Sequence, residues 1–308
     1  MPLHLDSVSR RRFLRGSAVL ALTTAANGIS APATGTETWA LLSDTHIDLD
    51  PAKISRQGVN MAENLRRVVA EVLAEKEPLS GVILNGDCAF NNGQAGDYTL
   101  LLDLFDPLAK AGIPLHFTLG NHDDREVFRD SLGKTAGSPA LAAKHCSLLE
   151  TPLANLILLD SLRHVNKVEG EIGAEQLAWL GEILRAAPDK PAIVIAHHYP
   201  QAPPSETAVE GKKSRVTGLV DTEPFLELLR THRSVKAYLY GHSHNWRSKD
   251  GADGLHEVNL PPTAYVFDET RPNGWVRATL SAAGMALELR ALDPAHPEHG
   301  KVTEFKWR

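Results

Sequence analysis

Thr38-Trp39-Ala40-Leu41-Leu42-Ser43-Asp44-Thr45-His46 sets the fold. An apolar run at residues 39–42 passes straight into a polar Asp-x-His. A continuous apolar run, with no polar alternation, marks a strand covered on both faces. The arrangement recurs along the chain. Gly81-Val82-Ile83-Leu84 leads into Asn85-Gly86-Asp87, and residues 114–119 lead into Gly120-Asn121-His122-Asp123. Residues 192–196 precede His197-His198, and residues 235–240 precede Gly241-His242-Ser243-His244. Residues 155–159 form a further strand run. Helical patterns stand between these strands. Asn60 and Glu63 read as a capping box ahead of Leu65, Val68, Val69, Val72 and Leu73. Residues 100–109, closed by Gly112, and residues 174–187 and 223–230 also carry helical periodicity. Strands alternating with helices specify an α/β architecture. Residues 276–280 and 285–289, joined by Ala282-Ala283-Gly284, read as a hairpin that closes one edge.

The chain has 308 residues, 43% of them hydrophobic, enough for a sizeable core. That composition excludes a disordered tail, a collagen-like repeat and a disulfide scaffold. The net charge of −6 speaks against a nucleic-acid binder, which would present a basic face. Two cysteines are weak evidence for a disulfide. Cys88, in a buried-strand context, and Cys146, near a helix end, read as small packed hydrophobes.

The five polar clusters all follow strand runs. In an α/β sheet the carboxyl ends of strands share one edge, so distant segments can converge there. Asp44, His46, Asp87, Asn121, His197, His242 and His244 supply only oxygen and imidazole nitrogen, a set suited to Zn, Mn, Fe and related divalent ions. The X-x-X spacing of Asp44/His46 and of His242/His244 predicts same-side projection from extended backbone. Seven ligands exceed what one ion uses; two ions suffice if one carboxylate bridges them. Glycines beside Asp87, Asn121 and His242 predict sharp turns and room for a substrate.

In this order, Asp44-Thr45-His46, Gly86-Asp87, Gly120-Asn121-His122-Asp123, His197 and Gly241-His242-Ser243-His244 resemble the motifs of the calcineurin-like metallophosphoesterases. The resemblance spans residues 38–248. Leu159-Asp160-Ser161, residues 170–180 and His197-His198-Tyr199-Pro200 are similar to the bacterial cyclic-nucleotide phosphodiesterase branch. The resemblance implies two face-to-face β-sheets flanked by helices. It implies that Asp44, His46, Asp87 and His244 hold one metal, that Asp87, Asn121, His197 and His242 hold the other, and that Asp87 bridges. It implies hydrolysis of a small phosphate ester by a metal-bridging hydroxide, with His122 as general acid and Asp123 setting its orientation. Phe90 stands where the purple acid phosphatases of this family carry a tyrosine ligand, so that branch and its ferric ion are not expected. Mn, Fe, Zn and Ni all remain open. A phosphodiesterase is the leading expectation and a phosphomonoesterase the nearest rival. A nuclease and a non-catalytic binding protein are the more distant alternatives.

Residues 1–33 read as separate from the domain at 34–308. Ser9-Arg10-Arg11-Arg12-Phe13-Leu14-Arg15, a mild apolar stretch and Ala31-Pro32-Ala33 resemble a twin-arginine export signal. The apolar run is too short for a stable membrane span. The expectation is export by the twin-arginine machinery to the periplasm or beyond. That machinery carries folded proteins, often with metal in place. Residues 200–218 read as a long polar surface loop that shapes specificity.

Overall fold

The computed structural model describes residues 35–133, 140–201, 215–251 and 253–308. The export-signal reading and residues 202–214 of the long loop lie outside the described residues.

Among the described residues twelve strands form two six-stranded sheets. The first contains β1 (Glu37–Ser43), β2 (Gly81–Asn85), β3 (Leu115–Thr118), β10 (Gly274–Leu280), β11 (Gly284–Ala291) and β12 (Val302–Lys306), ordered β12-β11-β10-β1-β2-β3. The second contains β4 (Ser147–Glu150), β5 (Asn155–Leu158), β6 (Ala192–Ile195), β7 (Val235–Tyr240), β8 (Arg247–Asp250) and β9 (His256–Asn259), ordered β4-β5-β6-β7-β9-β8. The central strands β1, β2 and β3 run parallel, as do β5, β6, β7 and β9. Antiparallel strands close three of the four edges; at the fourth, β3 pairs parallel to β2. The expected hairpin is β10 against β11, with Leu280 opposite Met285.

Side-chain alternation sorts three apolar layers. Trp39 and Leu41 of β1 point inward and meet Leu156, Leu158, Ile193, Ile195 and Leu239 of the second sheet, so the sheets pack face to face. Ala40 and Leu42 point outward, into a layer shared with α1 (Met61–Leu73), α2 (Ala95–Lys110) and α3 (Arg125–Leu132). Ile157 and Val194 on the far side meet α4 (Ala174–Ala186) and α5 (Thr222–Thr231). The expected sandwich with outer helices is the observed architecture.

Asn60 caps α1 as the sequence predicts, its Oδ1 accepting from the Glu63 amide at 2.8 Å. α2 begins at Ala95, five residues before its apolar stripe, because the Asp97 carboxylate accepts from the Gln94 amide at 3.1 Å and the Leu49 amide at 2.8 Å. Cys88 and Cys146 are buried free thiols. Cys146 precedes a strand, β4, rather than ending a helix. Among the described residues no helix is long and apolar enough to cross a membrane.

Candidate metal centre

Asp44 follows β1, Asp87 follows β2, Asn121 follows β3, His197 follows β6 and His242 follows β7. The five clusters therefore come from both sheets and meet across the top of the sandwich. Hydrogen bonds hold the two halves in register. Asn85 Nδ2 donates to the Ala196 carbonyl at 3.2 Å, and within the second sheet the Gly241 amide donates to the His197 carbonyl at 2.9 Å. The His242 amide donates to the Asp44 carboxylate at 3.2 Å.

Five of the predicted donors, Asp44, His46, Asp87, His197 and His244, come together in a buried cluster, and the His242 ring lies 5.1 Å from that of His197 between centroids. His197 Nε2 lies 3.3 Å from Asp87 Oδ2 and 3.9 Å from Asp44 Oδ1. His46 Nε2 lies 3.6 Å from Asp87 Oδ2, and His244 Nε2 lies 3.4 Å from Asp44 Oδ1. Asp44, His46 and His244 form one group of donor atoms within 4.8 Å of one another; Asp44, Asp87 and His197 form a second. Asn121 is buried, and its Oδ1 has no hydrogen-bond partner.

The histidines share one arrangement. His46 Nδ1 faces the Phe90 carbonyl at 3.4 Å, His122 Nδ1 the Asn91 carbonyl at 2.7 Å and His197 Nδ1 the Asn85 carbonyl at 3.0 Å. His242 Nε2 faces the Thr217 carbonyl at 2.8 Å, and His244 Nδ1 the Tyr265 carbonyl at 2.6 Å. A carbonyl only accepts, so each of these nitrogens carries the hydrogen and the opposite nitrogen of a neutral ring offers a lone pair. Backbone carbonyls hold metal-ligating imidazoles in this way. For His46 and His244 the consequence is sharp. Their Nε2 lone pairs face each other at 3.0 Å, an arrangement that requires a positive charge between or beside them.

The charges agree with the geometry. Burial alone would raise the Asp87 pKa. The His197 charge and hydrogen bond, with His122 and His46, outweigh burial and hold Asp87 well below the usual carboxylate range. Burial would lower His197, but Asp87 and Asp44 raise it to about 9. Burial, then neighbouring imidazoles, lower His242 to about 3 and push His46 well below its ordinary value. The buried carboxylates thus demand one cation, and His197 supplies it with a proton. The donor set, the unpartnered Asn121 oxygen and the facing lone pairs fit divalent metal.

The structure corrects three expectations about this cluster. Asp44, His46, Asp87, His242 and His244 lie at φ of 53°, 47°, 47°, 67° and 50°. The X-x-X pairs therefore project from left-handed backbone, not from extended chain. Of the six non-glycine residues with positive φ among the described residues, only Asn166 is outside the predicted ligands. Second, the glycines make room for ligands rather than substrate. A Cβ on Gly86, at φ 69°, would stand 2.6 Å from His197 Nδ1, and one on Gly120 would overlap Asp87 Oδ1. Third, Asp123 does not orient His122. Its buried carboxylate accepts from the amides of Gly120 at 2.8 Å, Ala89 at 3.0 Å and Cys88 at 3.2 Å, and from the Tyr98 hydroxyl at 3.2 Å. The Asn91 carbonyl holds His122 instead.

His198 is buried, with Nδ1 on Ser161 Oγ at 2.8 Å and its ring centroid 4.6 Å from that of His242. With His197 and His242 it forms a further group of donor atoms within 4.8 Å of one another. His145 packs edge-on against Phe128, away from the cluster. His256 bridges Asp250 and the Lys306 carbonyl. The sequence did not single out Asn91 as a partner of His122, nor Thr217, Tyr265 or Phe267. Their contributions are backbone carbonyls and ring faces, for which no motif exists. Tyr265 stacks on His46 at 5.2 Å between centroids, and Phe267 stacks on His244 at 4.4 Å.

Comparison with known proteins gives concordant results. The chain is 27% identical over 276 residues to a probable cyclic nucleotide phosphodiesterase of Synechococcus, covering 86% of this chain and 95% of that one. It is 25% identical over 263 residues to the 3',5'-cyclic adenosine monophosphate phosphodiesterase of Haemophilus influenzae, covering 82% and 89%. Its fold matches the crystal structure of a dimetal phosphatase from Danio rerio with a TM-score of 0.65 at 16% identity, covering 88% and 99%. The family described as calcineurin-like phosphoesterase matches residues 38–246. With that match over more than half its length, the chain belongs to the calcineurin-like phosphoesterase family, a family of phosphoric ester hydrolases.

Proposed function

We propose that this centre holds two divalent cations and hydrolyses phosphodiesters. Asp44, His46, Asp87 and His244 are assigned to one ion, and Asp87, Asn121, His197 and His242 to the other, with Asp87 shared. The observation that carries the reading is the set of imidazoles fixed on backbone carbonyls, of which His46, His197 and His244 turn the free nitrogen toward two buried carboxylates. When bound, such ions supply Lewis-acid charge for the phosphoryl oxygens and a nucleophilic water at neutral pH. Were an ion bound there, His197 would give up its proton, since that imidazole must be neutral to ligate.

His122 is the proton donor to the departing oxygen. Its ring is partly exposed beside the cluster, 5.3 Å from the His46 ring between centroids. Its Nδ1–H stays on Asn91, so Nε2 is the nitrogen left to exchange a proton with substrate. The names of the relatives, cyclic nucleotide phosphodiesterases, favour diesters over monoesters.

The test is a substrate panel on metal-reconstituted protein. Bis-nitrophenyl phosphate and biological diesters should be cleaved with higher kcat/KM than mononitrophenyl phosphate. A preference for the monoester overturns the diester reading. For residues 1–33 the proposal is twin-arginine export of a single domain at 34–308. Arg10→Lys with Arg11→Lys should leave the protein in the cytoplasm, and unchanged export would count against it.

A further inference from the structure

We propose that Phe267 and the pocket beside it form the specificity site that receives the planar aromatic group of the substrate. The inference rests on the phosphodiesterase reading and narrows it.

The segment that carries Phe267 is bolted to the centre. The Thr263 amide donates to the Ser43 carbonyl at 2.7 Å and the Ala264 amide to the Asp44 carbonyl at 3.0 Å. The Tyr265 carbonyl accepts from His244 Nδ1 at 2.6 Å. The ring of Phe267 then lies on His244 with an interplanar angle of 26°, and Tyr265 meets it edge-on at 5.9 Å. Its position is fixed by ring contacts to one proposed ligand, His244, and to Tyr265, not by burial. Phe267 is 66% exposed, the largest value among the exposed large hydrophobics of the described residues.

A single exposed apolar side chain is ordinary on a protein surface. This one differs in three respects. One face is held against the centre, which leaves the other for a ligand. The ring walls a pocket of about 540 Å³, within the range of small-molecule sites. Arg56 lines the same pocket and pairs with no carboxylate among the described residues, whereas the neighbouring Arg271 is held by Asp268 at 3.6 Å. An aromatic platform with a free guanidinium beside it recognises a flat π-system, a nucleobase or an aryl ring, by stacking and by cation–π contact. A small alkyl substituent on the same phosphate would leave the Phe267 face in water.

Calorimetric titration of the Mn²⁺-loaded full chain separates these contributions. The ligands are adenosine 5'-monophosphate, phenyl phosphate, glycerol 3-phosphate and inorganic phosphate. Phe267→Leu keeps an apolar cover on His244 and removes the π face. It should weaken adenosine 5'-monophosphate about tenfold and leave glycerol 3-phosphate and phosphate within about twofold. Phe267→Trp should restore the loss. Equal weakening of all four ligands overturns the proposal, because Phe267 would then act through His244 alone. Unchanged affinity for adenosine 5'-monophosphate, or no binding of it by the parent chain, also overturns it. If phenyl phosphate follows adenosine 5'-monophosphate, the pocket takes aryl groups at large; if it does not, the pocket is selective for the base. Diester turnover with no aromatic preference would remove this inference and leave the proposed function. Aromatic binding lost in Phe267→Leu, with no turnover of any diester, would do the reverse.

Discussion

Asp123→Asn separates two roles for the acid that follows His122. The carboxylate accepts four hydrogen bonds: Ala89 N and Tyr98 Oη on Oδ1, Cys88 N and Gly120 N on Oδ2. An amide keeps one oxygen. Its best orientation leaves that oxygen on Cys88 and Gly120 and turns the NH2 toward Ala89 and Tyr98. The Tyr98 hydroxyl can rotate to accept, but the Ala89 amide cannot. That orphaned buried donor costs about 1–3 kcal/mol, and each surviving bond weakens by roughly 1 kcal/mol as its charge assistance goes. One effect opposes these. Burial, with the charge of Asp87, raises the Asp123 pKa to about 6, so a neutral group relieves part of the strain. The net loss should be about 2 kcal/mol, or roughly 4–8 °C in Tm for a domain of this size. Because the acid braces the turns carrying Asp87 and Asn121, turnover should fall by the same factor on alkyl and nitrophenyl diesters. Calorimetric Tm and paired kcat/KM measurements give the answer. An unchanged Tm with loss confined to the alkyl ester would mean that Asp123 serves His122 after all.

Four further outcomes follow from the same geometry. His122→Ala should lower kcat on an alkyl diester by about 10²–10⁴ but on bis-nitrophenyl phosphate by less than about tenfold, since a good leaving group needs no proton; equal losses would refute the acid role. Asp87→Asn should cost both ions, and plasma mass spectrometry still finding two per chain would defeat the shared-ligand assignment. His145 is held below its ordinary pKa by burial, so the unfolded chain protonates first as pH falls below about 6.5. Stability is intact above that pH and is lost as pH falls toward the folded value. In His145→Gln the urea midpoint should decline less steeply over that window, and parallel slopes would contradict it. Finally, His242 sits at φ 67°, where a Cβ costs about 1–2 kcal/mol. His242→Gly should therefore be more stable than His242→Ala in chelated protein, by about 1 kcal/mol in denaturant titration, the reverse of the usual order; the usual order would show the backbone to be unstrained.

What could be read beforehand has a clear physical limit. The buried strands announce themselves because a strand covered on both faces must be apolar throughout, as residues 39–42 and 81–84 are. β8, Arg247-Ser248-Lys249-Asp250, is exposed at every position and pairs only along the edge, so its sequence carries no strand signal. α3 is only eight residues long and fully buries a single residue, Phe128, so its apolar side is too short to read as a repeating stripe. The convergence of the donors was legible because each stands at the end of an apolar run. Their partners were not. A carbonyl at Phe90, Asn85 or Thr217 belongs to the backbone, and the side chain there does not announce it. The spacing of Asp44 and His46 gave the right pair and the wrong backbone, because two-residue periodicity is shared by extended chain and by alternating left-handed turns.

That last error explains how the centre is built. Glycine is the residue that accepts positive φ without cost, yet five positions of this kind carry Asp or His. Left-handed backbone at such residues costs roughly 1–3 kcal/mol each and persists only where the surroundings over-determine it. Here the surroundings are the parallel sheets themselves. The Asp44 amide donates to the Gly86 carbonyl at 3.1 Å and the His46 amide to the Asp87 carbonyl at 2.9 Å, continuing the β1–β2 pairing past the point where the strands end. The chain is thus turned back on itself residue by residue while its neighbour is held alongside. This lets Asp44 and His46 reach one cluster from a single strand end, and His242 and His244 reach it from another. Where glycine does stand, at Gly86 and Gly120, a side chain would collide with a proposed ligand. Side chains are kept where they donate, whatever the backbone cost, and deleted where they would block a donor. A fold that spends stability in this pattern is organised around what the donors can hold, and the divalent cations of the proposed function would supply the charge that suits two buried carboxylates and a ring of imidazole lone pairs.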